Sequence, residues 1–250
     1  MVVAFVALFG LVIGSFLNVV IARVPERRSL VRPGSACPGC GNPIAWYDNL
    51  PVVSFFALAG RCRACAAPIS WRYPFVESLT AALFVLAWVV FASSLVEFFI
   101  AAVLLSALIA VTVVDLQYQI IPDAITVPGV VVGLLASLVR ERVSWLEALL
   151  GVLVGTMLFV AVIVLSRGGM GGGDLKLGAM LGAFLGWKAL LVALFVAVLV
   201  GGAMAVMLLA TRRLARKDAI PFGPFLALGG TVAVFWGNAL VAWYLSGFDR

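Results

Sequence analysis

The stretch Leu95–Val114, LVEFFIAAVLLSALIAVTVV, runs without a break into Asp115-Leu116-Gln117-Tyr118-Gln119-Ile120-Ile121-Pro122-Asp123. It has the roughly 20 apolar residues that a helix needs to cross a bilayer, and Glu97 is its only charge. Apolar segments recur at about 1–22, 74–92, 125–139, 145–166, 175–186, 188–211 and 222–246, with those at 125–139 and 175–186 short. Continuous apolar runs satisfy their backbone internally, whereas barrel strands would alternate with period two. The segments define an all-α polytopic membrane protein of about eight transmembrane helices. Composition agrees, because 64% of the 250 residues are hydrophobic and only 11% charged, against roughly 45–50% apolar content in a soluble domain. Mean hydropathy is +1.20.

Lys and Arg in short loops near helix ends mark the cytoplasmic side of such a bundle. Of the 17 basic residues, Arg140, Arg142, Lys188 and Arg250 fall in one set of loops. The other thirteen cluster at Arg23–Arg72, Arg167, Lys176 and Arg212–Lys217. This asymmetry predicts a cytoplasmic face carrying Asp115 and Asp174, with both termini on the opposite side. The net charge of +6 is therefore mainly a topology signal, and nucleic acid is not an expected partner because no aromatic-interleaved basic face is present. Residues 1–22 lack a basic n-region and a small-residue cleavage site, so they read as a membrane helix and not a removed signal peptide.

The largest polar insertion, residues 23–73, gathers Pro, Gly and Asn and holds all four cysteines. The expected organisation is a first transmembrane helix over 1–22, a small cytoplasmic zinc-ribbon-like module over 23–73, and a multi-helix membrane domain over 74–250. About fifty residues bury little core, and domains of that size often need a metal or disulfides. Cys37-Pro38-Gly39-Cys40 and Cys62-Arg63-Ala64-Cys65 are two C-x-x-C knuckles, the spacing of a structural tetrathiolate zinc site. A reducing cytoplasm disfavours disulfides, and no βαβ pattern supports a thioredoxin-like motif. With four protein ligands the metal has no open position, so it should hold shape and not activate water.

Elsewhere glycines recur four apart, at Gly129 and Gly133, Gly151 and Gly155, and Gly178, Gly182 and Gly186. Such spacing lets helix backbones approach closely in lipid. The chain contains no histidine, which removes Ser-His and Cys-His nucleophiles, H-E-x-x-H peptidases and His-ligated metals. The glycine run 168–173 is not a phosphate cradle, since a P-loop requires Gly-Lys-Ser/Thr after a strand. Its glycines would admit an extended peptide or bend the chain so that Asp174 faces inward.

Acid-base chemistry is left to carboxylates. An ionisable group at the membrane boundary is a functional-site hypothesis by default. Asp174, ahead of Leu175-Lys176-Leu177-Gly178, fits a helix N-cap that could also serve catalysis. Asp115 closes a helix, where the negative end of the dipole disfavours an anion, so something else must favour it there. Asp123 after Pro122 reads as the cap of the next helix, and Asp48, Asp218 and Asp249 as solvated. Glu77 is divided between helix-start electrostatics and a polar contact inside the bundle. Two close carboxylates in low dielectric share one proton. That state suits peptide hydrolysis, one member activating water and the other supporting the oxyanion and the leaving amine.

With these residues in view, the chain resembles the type IV prepilin peptidases, bifunctional leader peptidases and N-methyltransferases. The likeness runs through Gly14-Ser15-Phe16-Leu17-Asn18-Val19 with Arg23 and Pro25, both knuckles, Trp46-Tyr47-Asp48-Asn49-Leu50-Pro51, and Arg72-Tyr73-Pro74 with Glu77. It continues through Asp115–Asp123, Gly171–Lys176 and Ile220-Pro221-Phe222-Gly223-Pro224-Phe225. The resemblance implies a Gly-x-Gly-Asp intramembrane-type aspartyl peptidase with Asp115 and Asp174 catalytic, and a tetracysteine zinc module of Cys37, Cys40, Cys62 and Cys65. It implies substrates with a basic leader and a hydrophobic N-terminal helix, namely prepilins and pseudopilins. It also implies S-adenosylmethionine as methyl donor and the bacterial inner membrane as location. Glu77 and the cytoplasmic module are the candidates for methyl transfer. Gly172 stands where the family often has a bulkier residue. A transporter would show broken helices at matching positions of two halves, and no such symmetry is visible. The alternatives are a leader peptidase without methyltransferase activity and a non-enzymatic assembly factor whose zinc module acts as a docking surface.

Overall fold

The computed structural model describes residues 1–166, 171–211 and 220–247. The first half of the glycine run (168–170), the basic residues Arg167, Arg212, Arg213, Arg216 and Lys217, and Asp218, Asp249 and Arg250 lie outside the described residues. Among the described residues the architecture is all-helical, with two isolated β-bridges, and six helices are long and apolar enough to cross a membrane. The chain is a multi-pass membrane protein. It divides into two compact units, Met1–Ser93 and Ser94–Arg250.

In the first unit, α1 (Val2–Arg23) packs on α3 (Arg72–Phe91). A Cβ at Gly10 would lie 2.6 Å from the Ala81 Cα, and one at Gly14 the same distance from the Glu77 Cα. Glycine four apart thus sets this contact too, a pair that the sequence reading passed over. Between the two helices lies the polar module, with a short 3-10 helix (Trp46–Asn49) and α2 (Val53–Ala57).

The second unit holds α4 (Leu95–Tyr118), α5 (Asp123–Ala136), α6 (Trp145–Leu165), α7 (Gly172–Ala210) and α8 (Gly223–Ser246). Ser94 caps α4 by accepting from the Glu97 amide, and Ser144 with Glu147 forms a reciprocal capping box on α6. At 39 residues α7 would be about 58 Å long if straight, nearly twice the bilayer core. It is not straight: Gly186 takes φ 72° and ψ 167°, outside helical geometry. Leu181 meets Gly230 while Ala193 meets the adjacent Gly229, although twelve helical residues would separate them by about 18 Å. The chain therefore folds back at Gly186. This divides α7 into the two segments expected at 175–186 and 188–211 and brings the apolar passes to eight, with α5 and the first half of α7 the short ones.

The small-residue rows act as read, with one correction. Gly151 meets the Gly182 backbone, Gly155 meets Gly178, and Gly129 and Gly133 receive Met180 and Phe184. Gly186 does not extend the packing row but supplies the left-handed turn, which a side chain would strain. The core runs along these contacts through Leu177, Met180, Leu181, Phe184 and Leu190, joined by Leu104, Leu108 and Leu226. Outward side chains such as Leu165, Phe195 and Trp243 are apolar and exposed, as a lipid-facing surface requires.

The break leaves carbonyls at the end of the first half of α7 without helical partners. Arg140 donates to the Phe184 carbonyl at 2.5 Å and to Glu97 Oε2 at 3.0 Å. Both charged side chains are nearly buried, at 10% and 7% exposure. Arg140→Ala or Glu97→Gln alone should destabilise the protein by about 3–5 kcal/mol, by stranding a buried charge. An Arg140→Met/Glu97→Leu double variant should recover part of that loss. Thermal unfolding in detergent reads both, and equal losses in single and double variants would contradict the assignment.

Candidate active site

Asp115 occupies the last turn of α4, where its own helix offers no favourable field. The Gly223 amide, first in α8, donates to Asp115 Oδ2 at 3.0 Å. A carboxylate at the C-terminal end of one helix is thereby placed at the N-terminal end of another, where free amides and the dipole favour an anion. This answers the question that Asp115 posed in the sequence. The contact requires glycine, since a Cβ at Gly223 would lie 2.5 Å from Oδ2.

Asp174 lies in the first turn of α7, but Gly171 is the N-cap and no side chain caps the helix. The cap position expected of Asp174 is therefore taken by Gly171, three residues earlier, and the Asp174 side chain turns inward. It is 9% exposed, and Oδ1 has no hydrogen-bond partner among the described residues. Gly173 allows this approach, because a Cβ there would lie 2.8 Å from the Ile121 Cβ. At Gly172, where the chain departs from the family pattern, a Cβ would meet nothing within 4 Å among the described residues.

The two aspartates line one cavity of about 650 Å³ with Gln119, Ile121, Asp123, Ser166 and Phe222. Asp123 is the first residue of α5 and makes no capping hydrogen bond, contrary to its expected role. Lys176 holds both its oxygens at 2.6 and 2.7 Å, tying the loop after α4 to the start of α7. Neither the Gly223 anchor nor this ion pair follows from spacing, since each joins residues far apart in the chain.

In the polar module the four cysteines are free thiols whose sulfurs lie within 4.8 Å of one another. Cys37 and Cys65 Sγ are 3.8 Å apart, the separation that two ligands at about 2.3 Å from a tetrahedral zinc would have. The donor set fits a metal. The two knuckles are local repeats. The Cys37 amide donates to Asn42 and Ile44 to Ser35, and the Cys62 amide donates to Ala67 and Ile69 to Gly60. The repeat is legible in Cys37–Ile44 and Cys62–Ile69, each ending Pro-Ile. Amides of Cys40 and Gly39 lower the Cys37 thiol to about 6. For Cys65 the Ala67 amide favours the thiolate, yet the crowding thiols, Cys40 first, push it up to about 11.

Asp48 is not free in solvent as expected, because Arg63 binds its two oxygens at 2.6 and 2.8 Å and holds its carboxyl below the usual range. Glu77 is 7% exposed and accepts the Val52 amide at 2.7 Å, which is the polar contact inside the bundle. Asn18 donates to the Tyr73 carbonyl, and its side-chain oxygen is buried with no partner among the described residues.

Asp115 and Asp174 thus line one cavity among apolar helices. The profile of the Bacterial Peptidase A24 N-terminal domain matches residues 8–91, and that of the Type IV leader peptidase family matches residues 102–206. The chain belongs to the type IV leader peptidase family. Among its relatives is the prepilin leader peptidase/N-methyltransferase of Aeromonas hydrophila, 40% identical over 97% of this chain and 93% of its own. Those of Bacillus subtilis (36% identical, 95% and 96%) and Myxococcus xanthus (45% identical, 84% and 64%) bear the same name. No solved structure matches the chain significantly.

Gly223→Ala should displace the Asp115 carboxylate and cut hydrolytic turnover by about 10²-fold or more while the protein still elutes as folded. Gly172→Ala should leave turnover unchanged. Equal turnover in both variants, measured as peptide-bond cleavage in detergent, would remove the anchor from the account.

Proposed function

We propose that this chain is a membrane aspartyl endopeptidase that removes the leader of type IV prepilins and pseudopilins, then methylates the new N-terminal amine. The observation that carries the reading is the convergence of Asp115 and Asp174 on one cavity. Each role follows from local chemistry. Asp115, with an amide and a helix N-terminus to hold its charge, is the base that takes a proton from water. The water oxygen then adds to the scissile carbonyl carbon. Asp174, whose Oδ1 has no donor among the described residues although it too begins a helix, is assigned the shared proton. It gives this proton to the carbonyl oxygen as the tetrahedral centre forms. Collapse of that centre breaks the C–N bond: the proton on Asp115 leaves with the amine while a hydroxyl proton of the gem-diol returns to Asp174, which restores the shared-proton state. No covalent intermediate is needed.

The Lys and Arg asymmetry supports a bacterial inner-membrane protein with this cavity at the cytoplasmic face. A substrate's hydrophobic helix enters from lipid while its basic leader stays among the headgroups, and the cut falls at the interface. Cys37, Cys40, Cys62 and Cys65 hold a structural Zn²⁺, which supplies fold and no Lewis-acid step. S-adenosylmethionine, when bound, supplies the methyl group.

Asp115→Asn and Asp174→Asn should each lower leader cleavage by about 10²–10⁴-fold or more in liposomes, with the protein folded and zinc retained. Full cleavage by either variant would refute the pair. Inhibitors of serine and cysteine peptidases should be inert. Cys37→Ser with Cys40→Ser should release zinc and unfold the module, read by metal content and limited proteolysis. Loss of cleavage on chelation at unchanged thermal stability would instead assign the metal a chemical role.

A further inference from the structure

The helix α3 has 20 residues, about 30 Å of length, which no more than matches the hydrocarbon core of a bilayer. Its N-cap, Trp71, therefore stands at one edge of that core. While one face of α3 packs on α1, the exposed residues Trp71, Phe75, Ser78, Ala82 and Val89 recur at helical spacing and form its lipid-facing stripe. We infer that α2 of the polar module continues this stripe into the headgroup layer, so that Val53 and Phe56 rest against phospholipid and the module is seated on the membrane surface.

Phe55 fixes where α2 lies. Its side chain is buried, its ring centroid is 4.7 Å from that of Trp71, and a Cβ at Gly60 would lie 3.3 Å from the same ring. Val53 and Phe56, three residues apart on this short helix, are 61% and 63% exposed, and Trp71 is 68% exposed. The Phe56 ring meets Trp71 edge to face at 6.3 Å. The headgroup layer beyond each edge of the core is only about 5–7 Å thick. A ring that close to Trp71 stays within this layer even if it is displaced straight outward.

Two observations name lipid as the occupant. The patch is continuous with the face of α3 that lipid covers, and aromatic rings beside the start of a membrane helix belong at headgroup depth. Charge agrees, because residues 23–73 hold seven basic side chains and two acidic ones. The balance stays positive even with a tetrathiolate zinc, which adds two negative charges. A basic segment next to a membrane helix is drawn to an anionic leaflet. Left in water, Val53, Phe56 and Trp71 would form an apolar patch on a small polar module.

The experiment places a photoreactive phenylalanine at position 56 or 75 of the full, zinc-loaded chain in vesicles of phosphatidylcholine and phosphatidylglycerol. Irradiation should attach phospholipid at both positions, read by mass spectrometry of the peptides. Adducts at 75 with none at 56 would overturn the inference, and so would crosslinks from 56 to a second copy of the chain. No lipid at 75 would remove the stripe on which the inference rests and overturn it as well. Hydrogen exchange gives a second reading. Phe56→Glu should speed amide exchange over residues 53–57 about tenfold in vesicles with zinc content unchanged, although glutamate is the better helix former. Phe56→Leu, which loses the ring pair with Trp71 but keeps an apolar contact with lipid, should exchange like the wild type. Equal acceleration in both variants would assign the protection to the ring pair and overturn the inference.

Discussion

The hydrogen bond from the Gly223 amide to Asp115 makes an acidic side chain tolerable where its own helix repels it. An anion near the C-terminal end of α4 is opposed by the dipole and by the loss of water. Placing the same carboxylate at the start of α8 reverses the sign of the local field. Glycine is needed because any Cβ would occupy the space of the carboxyl oxygen. The loop after α4, the start of α7 and the start of α8 are thus drawn to one cavity, and Lys176 binding Asp123 closes the same junction.

The rest of the second unit fixes where that junction lies. Close glycine contacts between α6 and the first half of α7 set the depth of Asp174, and the fold-back at Gly186 brings the second half against α8. Arg140 serves the carbonyl exposed by the break, and Glu97 balances its charge. In a solvent that offers neither hydrophobic drive between helices nor hydrogen bonds to the backbone, close packing and internal satisfaction of polar groups do this work.

Much of this was legible in the chain. Eight apolar runs, two knuckles and paired glycines are local patterns, each with its own period or spacing, and the folding of α7 into two passes matches the polarity change at Trp187-Lys188. What spacing could not supply were partners between distant residues. Asp174 and Asp123 looked like caps because capping is judged from neighbours, yet the cavity and Lys176 claim them. Asp48 looked solvated because Arg63 is 15 residues away. Gly223 sat in a recognised motif without a role until α8 was seen to begin against Asp115.

Proximity of the two aspartates is the claim on which the mechanism stands, and cross-linking measures it directly. In an Asp115→Cys/Asp174→Cys double variant embedded in membranes, a short bifunctional thiol reagent should join the two positions within one chain, as a linked pair of peptides in the mass spectrum. Thiols that each react singly yet never become linked to one another would contradict the account.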